Sequence, residues 1–425
     1  MLTAVVGINW GDEGKGRIVD LLSESQDIVV RYQGGNNAGH TVVNDKGEFI
    51  LNLLPSGILR DDVVCVMGNG MAIDLKHLSG EIAKLRNAGI KITPDNLKIS
   101  NKAIITMPYH VRLDCLEEER LAGEKYGSTR RGIAPVYSDK YAKKAIRTGD
   151  IFYADELKRH LKSVLTYKNL VIKNVYGAEA SEYSDMLCYL ETYGSEFADY
   201  ICDTGKYLRD SAKAGKRIMF EAQLGALRDI DFGIYPYTSS SSTIAAYAPI
   251  GAGVPDLKLD TTVGIMKAYS SCVGEGPFTV EMFGDEADAL REAGGEYGAA
   301  TKRPRRVGAF DAVASMYGVM MQGADKIALT KLDVLSYLEK IPVCVAYEID
   351  GEITKDFPTG ERLNRAKPVI EYVEGWNCDI SGCRSYDELP ETAKAYIRFI
   401  EKSIGASIWL VSVGAEREAY FYMNE

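Results

Sequence analysis

Short apolar runs that end in glycine-rich loops set the pattern of this chain. Ala4-Val5-Val6-Gly7-Ile8 leads into Asn9-Trp10-Gly11-Asp12-Glu13-Gly14-Lys15-Gly16. Ile28-Val29-Val30-Arg31-Tyr32 leads into Gln33-Gly34-Gly35-Asn36-Asn37-Ala38-Gly39-His40-Thr41, and Val63-Val64-Cys65-Val66-Met67 closes on Gly68-Asn69-Gly70. Apolar runs of this kind are the type buried on both faces of a parallel sheet. After the first loop, Arg17-Ile18-Val19-Asp20-Leu21-Leu22 switches to helical spacing. Strand, glycine loop, helix is the dress of an α/β sheet with its ligands at the carboxyl edge.

From about Tyr109 to Lys216 the pattern changes to charged, helix-forming stretches such as Leu113 to Lys125 and Asp155 to Leu165. Strand-like runs return at Arg217–Phe220, Lys326–Thr330 and Pro342–Tyr347. The last, Ala406–Val413, ends on Gly414. The expected fold is α/β: a mostly parallel central sheet with Gly-rich phosphate loops, a helical insertion and a C-terminal α/β portion. The expected division puts a nucleotide-binding core at 1–101 and 217–265, the insertion at 102–216, and the C-terminal portion at 266–425. No internal repeat or low-complexity tract interrupts it.

Composition narrows the function classes. The chain has 425 residues with 50 Lys+Arg against 60 Asp+Glu, a net charge of −10. That balance disfavours a duplex-DNA binder, which shows a basic field, but leaves room for a nucleotide pocket with locally concentrated cations. No run of about 18 apolar residues predicts a membrane span. The first residues are too short a run, and lack the basic leader, for a signal peptide. Eight scattered cysteines fit reduced thiols in the cytoplasm. Cys378 and Cys383 lack a second pair or nearby His to make a zinc set.

Five segments are candidates for chemistry. Gly11-Asp12-Glu13-Gly14-Lys15-Gly16 opens a helix, where backbone N–H groups, the dipole and the Lys15 charge suit phosphate; it departs from a Walker A motif and also reads as a tight turn with solvated Asp12 and Glu13. Gly34–His40 ends on one of four histidines, at a strand exit where catalytic loops gather; His77, His110 and His160 read as structural. Thr330-Lys331-Leu332-Asp333 delivers a carboxylate that can accept from the ring N–H and exocyclic amine of guanine together, with the Lys331 stem across the base; it also reads as a surface ion pair. Thr301-Lys302-Arg303-Pro304-Arg305-Arg306 reads as a carboxylate or phosphate clamp or as a solvated basic run. Tyr235-Pro236-Tyr237-Thr238 and the hydroxyl run to Thr243 line a phosphate pocket or form a polar loop.

Taken together and in this order, these segments resemble adenylosuccinate synthetase. The resemblance rests on Trp10–Gly16, Arg31–Gly35, Asn37–Thr41, Leu54-Pro55-Ser56-Gly57-Ile58, Arg131-Gly132-Ile133, Asp229-Ile230-Asp231, Tyr235-Pro236-Tyr237, Lys267–Ser270, Gly276-Pro277-Phe278 and Thr330–Leu335, and covers effectively the whole chain. It implies a homodimeric ligase that joins L-aspartate to IMP, splits GTP to GDP and phosphate, and uses Mg²⁺. It implies Asp12 as the base that takes the N1 proton, and His40 as hydrogen-bond partner of the transferring group. It implies Mg²⁺ on the Asp12 carboxylate and the Gly39 carbonyl.

By position the resemblance also assigns GTP and phosphate contacts to Gly11, Glu13, Gly14, Lys15, Gly16, Gly39, Thr41, Arg305, Lys331, Asp333, Ser412 and Gly414. IMP would be met by Asp12, Lys15, Asn37, Ala38, Thr129, Leu224, Ser239 and Arg303, with Lys143 crossing from the partner protomer. Aspartate would be met by Thr301, Arg303 and Arg305. Departures from the family pattern cluster near the IMP pocket. Lys143 replaces Arg, Glu221-Ala222-Gln223-Leu224-Gly225 replaces Glu-Gly-Ala-Gln-Gly, and Arg130 replaces Gly. Ser239 replaces Thr, Lys302 and Pro304 alter the aspartate loop, and Cys272 replaces Arg. The purine-facing Gln thus becomes Leu224, unless Gln223 shifts into its place. Two other readings follow: a same-fold ligase acting on a guanylate-type purine, and a GTP-binding regulator without chemistry.

Overall fold

A computed structural model describes residues 1–44, 47–298 and 303–423. Among these, ten strands form one sheet. In spatial order they are Tyr420–Tyr422, Ile408–Ser412, Lys326–Thr330, Thr261–Lys267, Leu2–Gly7, Ile218–Gly225, Ile28–Arg31, Val64–Met67, Leu97–Ser100 and Ile201–Cys202. Every neighbouring pair is parallel, except that Tyr420–Tyr422 runs antiparallel to Ile408–Ser412. The apolar runs predicted as strands in 1–70 and Lys326–Thr330 are strands. The central strand Thr261–Lys267, which the sequence reading did not single out, lies between Leu2–Gly7 and Lys326–Thr330.

A strand's period of two sends successive side chains to opposite faces. Val5, Val29 and Met219 enter one apolar core, while Ala4, Val6, Val30 and Phe220 enter another. The first core is completed by the helices of the predicted insertion, among them Ala154–Asn174 and Tyr183–Phe197. Ile201–Cys202 extends the main sheet from within that stretch. On the C-terminal side, helix Glu391–Ile404 buries Ile397, Ile400 and Ile404 and ends at Gly405 with φ 68°.

Pro342–Tyr347 falls within the strand Lys340–Ile349, but that strand belongs to a second sheet. It pairs parallel with Phe310–Asp311 and antiparallel with Glu352–Thr354 and Lys367–Glu374. Among the described residues no helix is long and apolar enough to cross a membrane.

Because the neighbouring strands are parallel, the ends of Leu2–Gly7, Ile28–Arg31, Ile218–Gly225, Thr261–Lys267, Lys326–Thr330 and Ile408–Ser412 all lie along one edge of the sheet. That edge collects the loops singled out from the sequence.

Candidate active site

The phosphate loop is braced from beneath. Glu13 is buried, and its Oε1 accepts from the backbone N–H of Asn9 at 3.1 Å and of Gly11 at 2.8 Å. Its Oε2 accepts from Lys15 Nζ at 2.5 Å. Glu13 therefore shapes the loop and holds the cation instead of standing in solvent. Gly14 caps the helix Lys15–Ser23 at φ 90°, a left-handed position that favours glycine. A Cβ on Gly16 would lie 2.9 Å from His40 Cβ, so the missing side chain is what lets His40 approach the loop. Thr330 Oγ1 donates to Glu13 O at 2.7 Å, tying the strand Lys326–Thr330, and the Lys331–Asp333 segment after it, to the same loop.

His40 opens the strand His40–Asn44 and is buried. Its Nδ1 lies 2.5 Å from Glu221 Oε1. Burial would raise the Glu221 carboxyl, but His40, Arg31 and the Ser56 N–H hold it below the usual range. An ionised carboxylate only accepts, so Nδ1 carries the proton and Nε2 is left for a ligand. Burial pushes the imidazole below its ordinary value, against the pull of Glu221. Ser56 adds donors at 2.7 Å from both its N–H and its hydroxyl. Arg31, wholly buried nearby, has Nε and Nη2 without hydrogen-bond partners, so its charge acts on this group through space.

The guanine candidate stands on three chain segments. Lys331 adopts φ 60° directly after its strand, and its Nζ donates to Gly294 O at 2.6 Å and Glu296 Oε1 at 2.9 Å. That anchorage holds the stem in place. The Asp333 Oδ1 is buried and finds no donor within the protein. Burial raises the Asp333 carboxyl, which an incoming pair of N–H donors would offset. Leu332 N donates to Ser412 O at 3.2 Å. Arg17, on the phosphate-loop helix, binds Ser412 Oγ at 2.7 Å and the carbonyls of Gly414 and Glu416. Phosphate loop, guanine segment and Ser412–Gly414 are thus one stitched unit.

The basic segment reaches this unit. Arg305 Nε lies 3.3 Å from Asp12 Oδ2, and its Nη1 2.8 Å from Glu296 Oε2. Asp12 itself adopts φ 59°. Thr301 and Lys302 lie outside the described residues; exposed Arg303 accepts from Gly298 N at 2.9 Å through its backbone carbonyl.

The remaining purine-side candidates line the neighbouring loops. Asn37 Oδ1 accepts from Gly35 N at 3.3 Å, and Ala38 O accepts from Asn52 Nδ2 at 3.0 Å. Ser239 is buried beside Ser241 at 3.0 Å, and Ser241 hydrogen-bonds Gln33 at 2.8 Å. Thr129 is exposed on a loop held by Asp114, which accepts from Ser128 Oγ at 2.6 Å and Gly132 N at 2.8 Å. Lys143 is exposed beyond the helix Ile133–Tyr141, at φ 62°.

Comparison with known proteins decides the family. A profile described as adenylosuccinate synthetase matches residues 4–421. The chain belongs to the adenylosuccinate synthetase family. It is 44% identical to the adenylosuccinate synthetase of Caldanaerobacter subterraneus subsp. tengcongensis, over 98% of each chain. It is 43% identical to that of Geobacillus kaustophilus, over 97% of this chain and 96% of the relative. Among solved structures, fully ligated adenylosuccinate synthetase from Plasmodium falciparum matches with TM-score 0.92 and 37% identity, covering 99% of each chain. A cyanophage S-2L succinoaminodeoxyadenylate synthetase, 18% identical with TM-score 0.58 over 100% of this chain and 95% of that one, shares the fold. The reaction class expected from the sequence holds: a ligase that uses GTP to join L-aspartate to IMP in purine biosynthesis.

Against the adenylosuccinate synthetase pattern, the departures at 223–224, 130 and 272 have defined surroundings. The Gln223 carboxamide is committed elsewhere: Nε2 donates to Gly35 O at 2.8 Å and Ala38 O at 3.3 Å, and Oε1 accepts from Gly35 N at 3.2 Å. It clamps the Gly35–Ala38 loop and does not shift into the position of Leu224. Leu224 sits at φ 64° against Gly11. Arg130 keeps a left-handed φ of 55° where the family has glycine. Cys272 is buried and accepts from Arg228 Nη2 at 3.0 Å. Sequence reasoning missed Glu221 as the partner of His40, and Glu296 altogether. The available signal was a lone carboxylate directly after the apolar run Ile218–Phe220, and another in Gly-Gly-Glu-Tyr-Gly.

Proposed function

We propose that this member of the family works through a 6-phosphoryl-IMP intermediate formed between Asp12 and His40. The observation that carries the reading is that the two titratable groups have separate supports. Asp12 projects from a strained loop beside Arg305, and His40 is fixed through Nδ1 by ionised Glu221. Asp12 takes the N1 proton of IMP, and O6 attacks the γ-phosphorus of GTP as GDP leaves. His40 Nε2 meets the transferring phosphoryl group. The aspartate amine then bonds to C6, phosphate departs with O6, and a proton is released. Lys15 covers phosphate charge, and Lys331 and Asp333 select guanine. Such transfer needs positioning and electrostatic cover more than covalent help.

The donor set fits Mg²⁺. Among the described residues no three His, Cys, Asp or Glu side chains form a cage, and Mg²⁺ is commonly held by one or two carboxylates together with substrate phosphates. The Asp12 side chain is 33% exposed and so within reach of a bound ion. Asp12 and the Gly39 carbonyl would hold it, and when bound it would neutralise charge on the phosphate oxygens. The enzyme acts as a homodimer whose Lys143 enters the partner's IMP site; the exposed, left-handed Lys143 supports that reading. Eight free thiols support a cytoplasmic setting.

Turnover of IMP labelled with ¹⁸O at O6 tests the intermediate. Label recovered in inorganic phosphate is the expected result. Label retained in the purine or lost to water would contradict it.

A further inference from the structure

A buried carboxylate lies between the guanine segment and the basic loop, and none of the roles above uses it. Glu296 follows the helix Gly284–Gly294 and the left-handed Gly295. Its side chain has 0% exposure. Oε1 accepts from Lys267 Nζ at 2.6 Å, Tyr269 OH at 2.5 Å and Lys331 Nζ at 2.9 Å. Oε2 accepts from Arg305 Nη1 at 2.8 Å. Its backbone also closes the base of the loop: Arg305 N donates to Glu296 O at 2.8 Å, and Tyr297 bridges to Pro304.

Four donors crowd this one carboxylate, three on Oε1 and one on Oε2. Three of the donors are cations, drawn from a strand end, the guanine segment and the basic loop. Asp12, near Arg305 and Lys267, and Asp333, near Lys331, share in balancing them. Without the Glu296 charge, Lys267, Lys331 and Arg305 would repel one another in a desolvated site, where charge interactions are strong. The ammonium of Lys331 and the fork of Arg305 therefore take their positions from the same two oxygens, 2.9 Å and 2.8 Å away. Displacing either cation changes the field at the other.

We propose that Glu296 is a positioning residue that couples guanine recognition by Lys331 to the substrate-clamping Arg305, so that the GTP and aspartate sites are set together. This rests on the assignment of Lys331 to GTP and Arg305 to the substrate loop. Glu296 touches no substrate and acts through the two cations.

Steady-state kinetics of the full-length enzyme and its Glu296→Gln variant test the coupling. The expected result is a joint rise of roughly tenfold in KM for GTP and for aspartate, with KM for IMP changed less than about twofold. In addition, replacing GTP by ITP, which lacks the 2-amino group, should raise the aspartate KM in the wild type and do so less in the variant. A purely structural Glu296 would lower the unfolding temperature and the active fraction while leaving all three KM values in place. That outcome would overturn the proposal. Tyr269→Phe, which removes one donor and no charge, guards against misfolding of the first variant. It should raise both KM values together by about two- to threefold; a rise in one alone, or in neither, would also overturn it. A wild type that makes no adenylosuccinate would overturn the site assignment and the coupling with it. A normal wild type with an unaltered variant would overturn the coupling alone.

Discussion

At the residue scale, the proposed chemistry rests on carboxylates in contrasting surroundings. Asp12 is reachable and strained, Glu13 and Glu221 are buried and fully engaged, and the Asp333 Oδ1 is buried without a donor. Their roles differ because their partners differ. Asp12→Asn keeps the shape and removes the proposed base. It should lower kcat by about 10²–10⁴-fold while GTP affinity, measured by titration, stays within a few-fold. Glu221→Gln should cost roughly 10–100-fold in kcat, because His40 then faces a neutral amide that can accept or donate, and the charge that fixes its tautomer is gone. Its GTP KM should barely move, and an equal loss in KM would point to loop collapse instead. Such second partners are poorly legible in sequence. Asp12, Lys15 and His40 stand in glycine-rich loops that announce themselves, whereas Glu221 and Glu296 gain meaning only from residues far away in the chain.

At the element scale, the glycine loops and apolar runs were enough to predict a parallel sheet with its ligands at one edge. Thr261–Lys267 was not legible, since a run of Thr, Gly and Lys among apolar residues carries no clear period. The strand Lys340–Ile349 was legible as a strand but not as a member of another sheet, because pairing partners are set by tertiary packing. That second sheet meets helix Ala312–Gln322 through Asp311, whose carboxylate caps Ala314 N at 3.0 Å and accepts from Tyr347 OH at 2.6 Å. Burial pushes the Asp311 carboxyl up to about 6, from 3.8 in an unperturbed chain. A raised folded-state value means that the folded protein holds the proton more tightly. The associated stability is fully present below 3.8 and is lost as pH rises through 6. Denaturant unfolding of wild type and Asp311→Asn at several pH values between these limits and neutrality should show the wild type gaining on the variant as pH falls. A pH-independent difference would place the Asp311 proton elsewhere.

At the scale of the whole molecule, one sheet edge gathers segments hundreds of residues apart. Arg17 reaches Ser412, and Thr330 reaches Glu13. The proposed dimer would add a partner's Lys143 to each IMP site. Lys143→Ala alone should raise the IMP requirement, and Asp12→Asn alone should lose most turnover, as above. Mixed dimers of the two contain one site with both native residues, so activity at low IMP should partly return on mixing. Mixtures no more active than the separate proteins would show that the sites are not shared.

Leu224, proposed to face the purine, makes substrate identity the sharpest question for the ligase reaction. The most direct measurement follows the absorbance of the succinyl-purine product with purified enzyme, omitting GTP, Mg²⁺, aspartate or IMP in turn. A signal should appear only when all four are present. GTP splitting with a guanylate and no signal with IMP would contradict it, as would tight GTP binding without turnover of any purine.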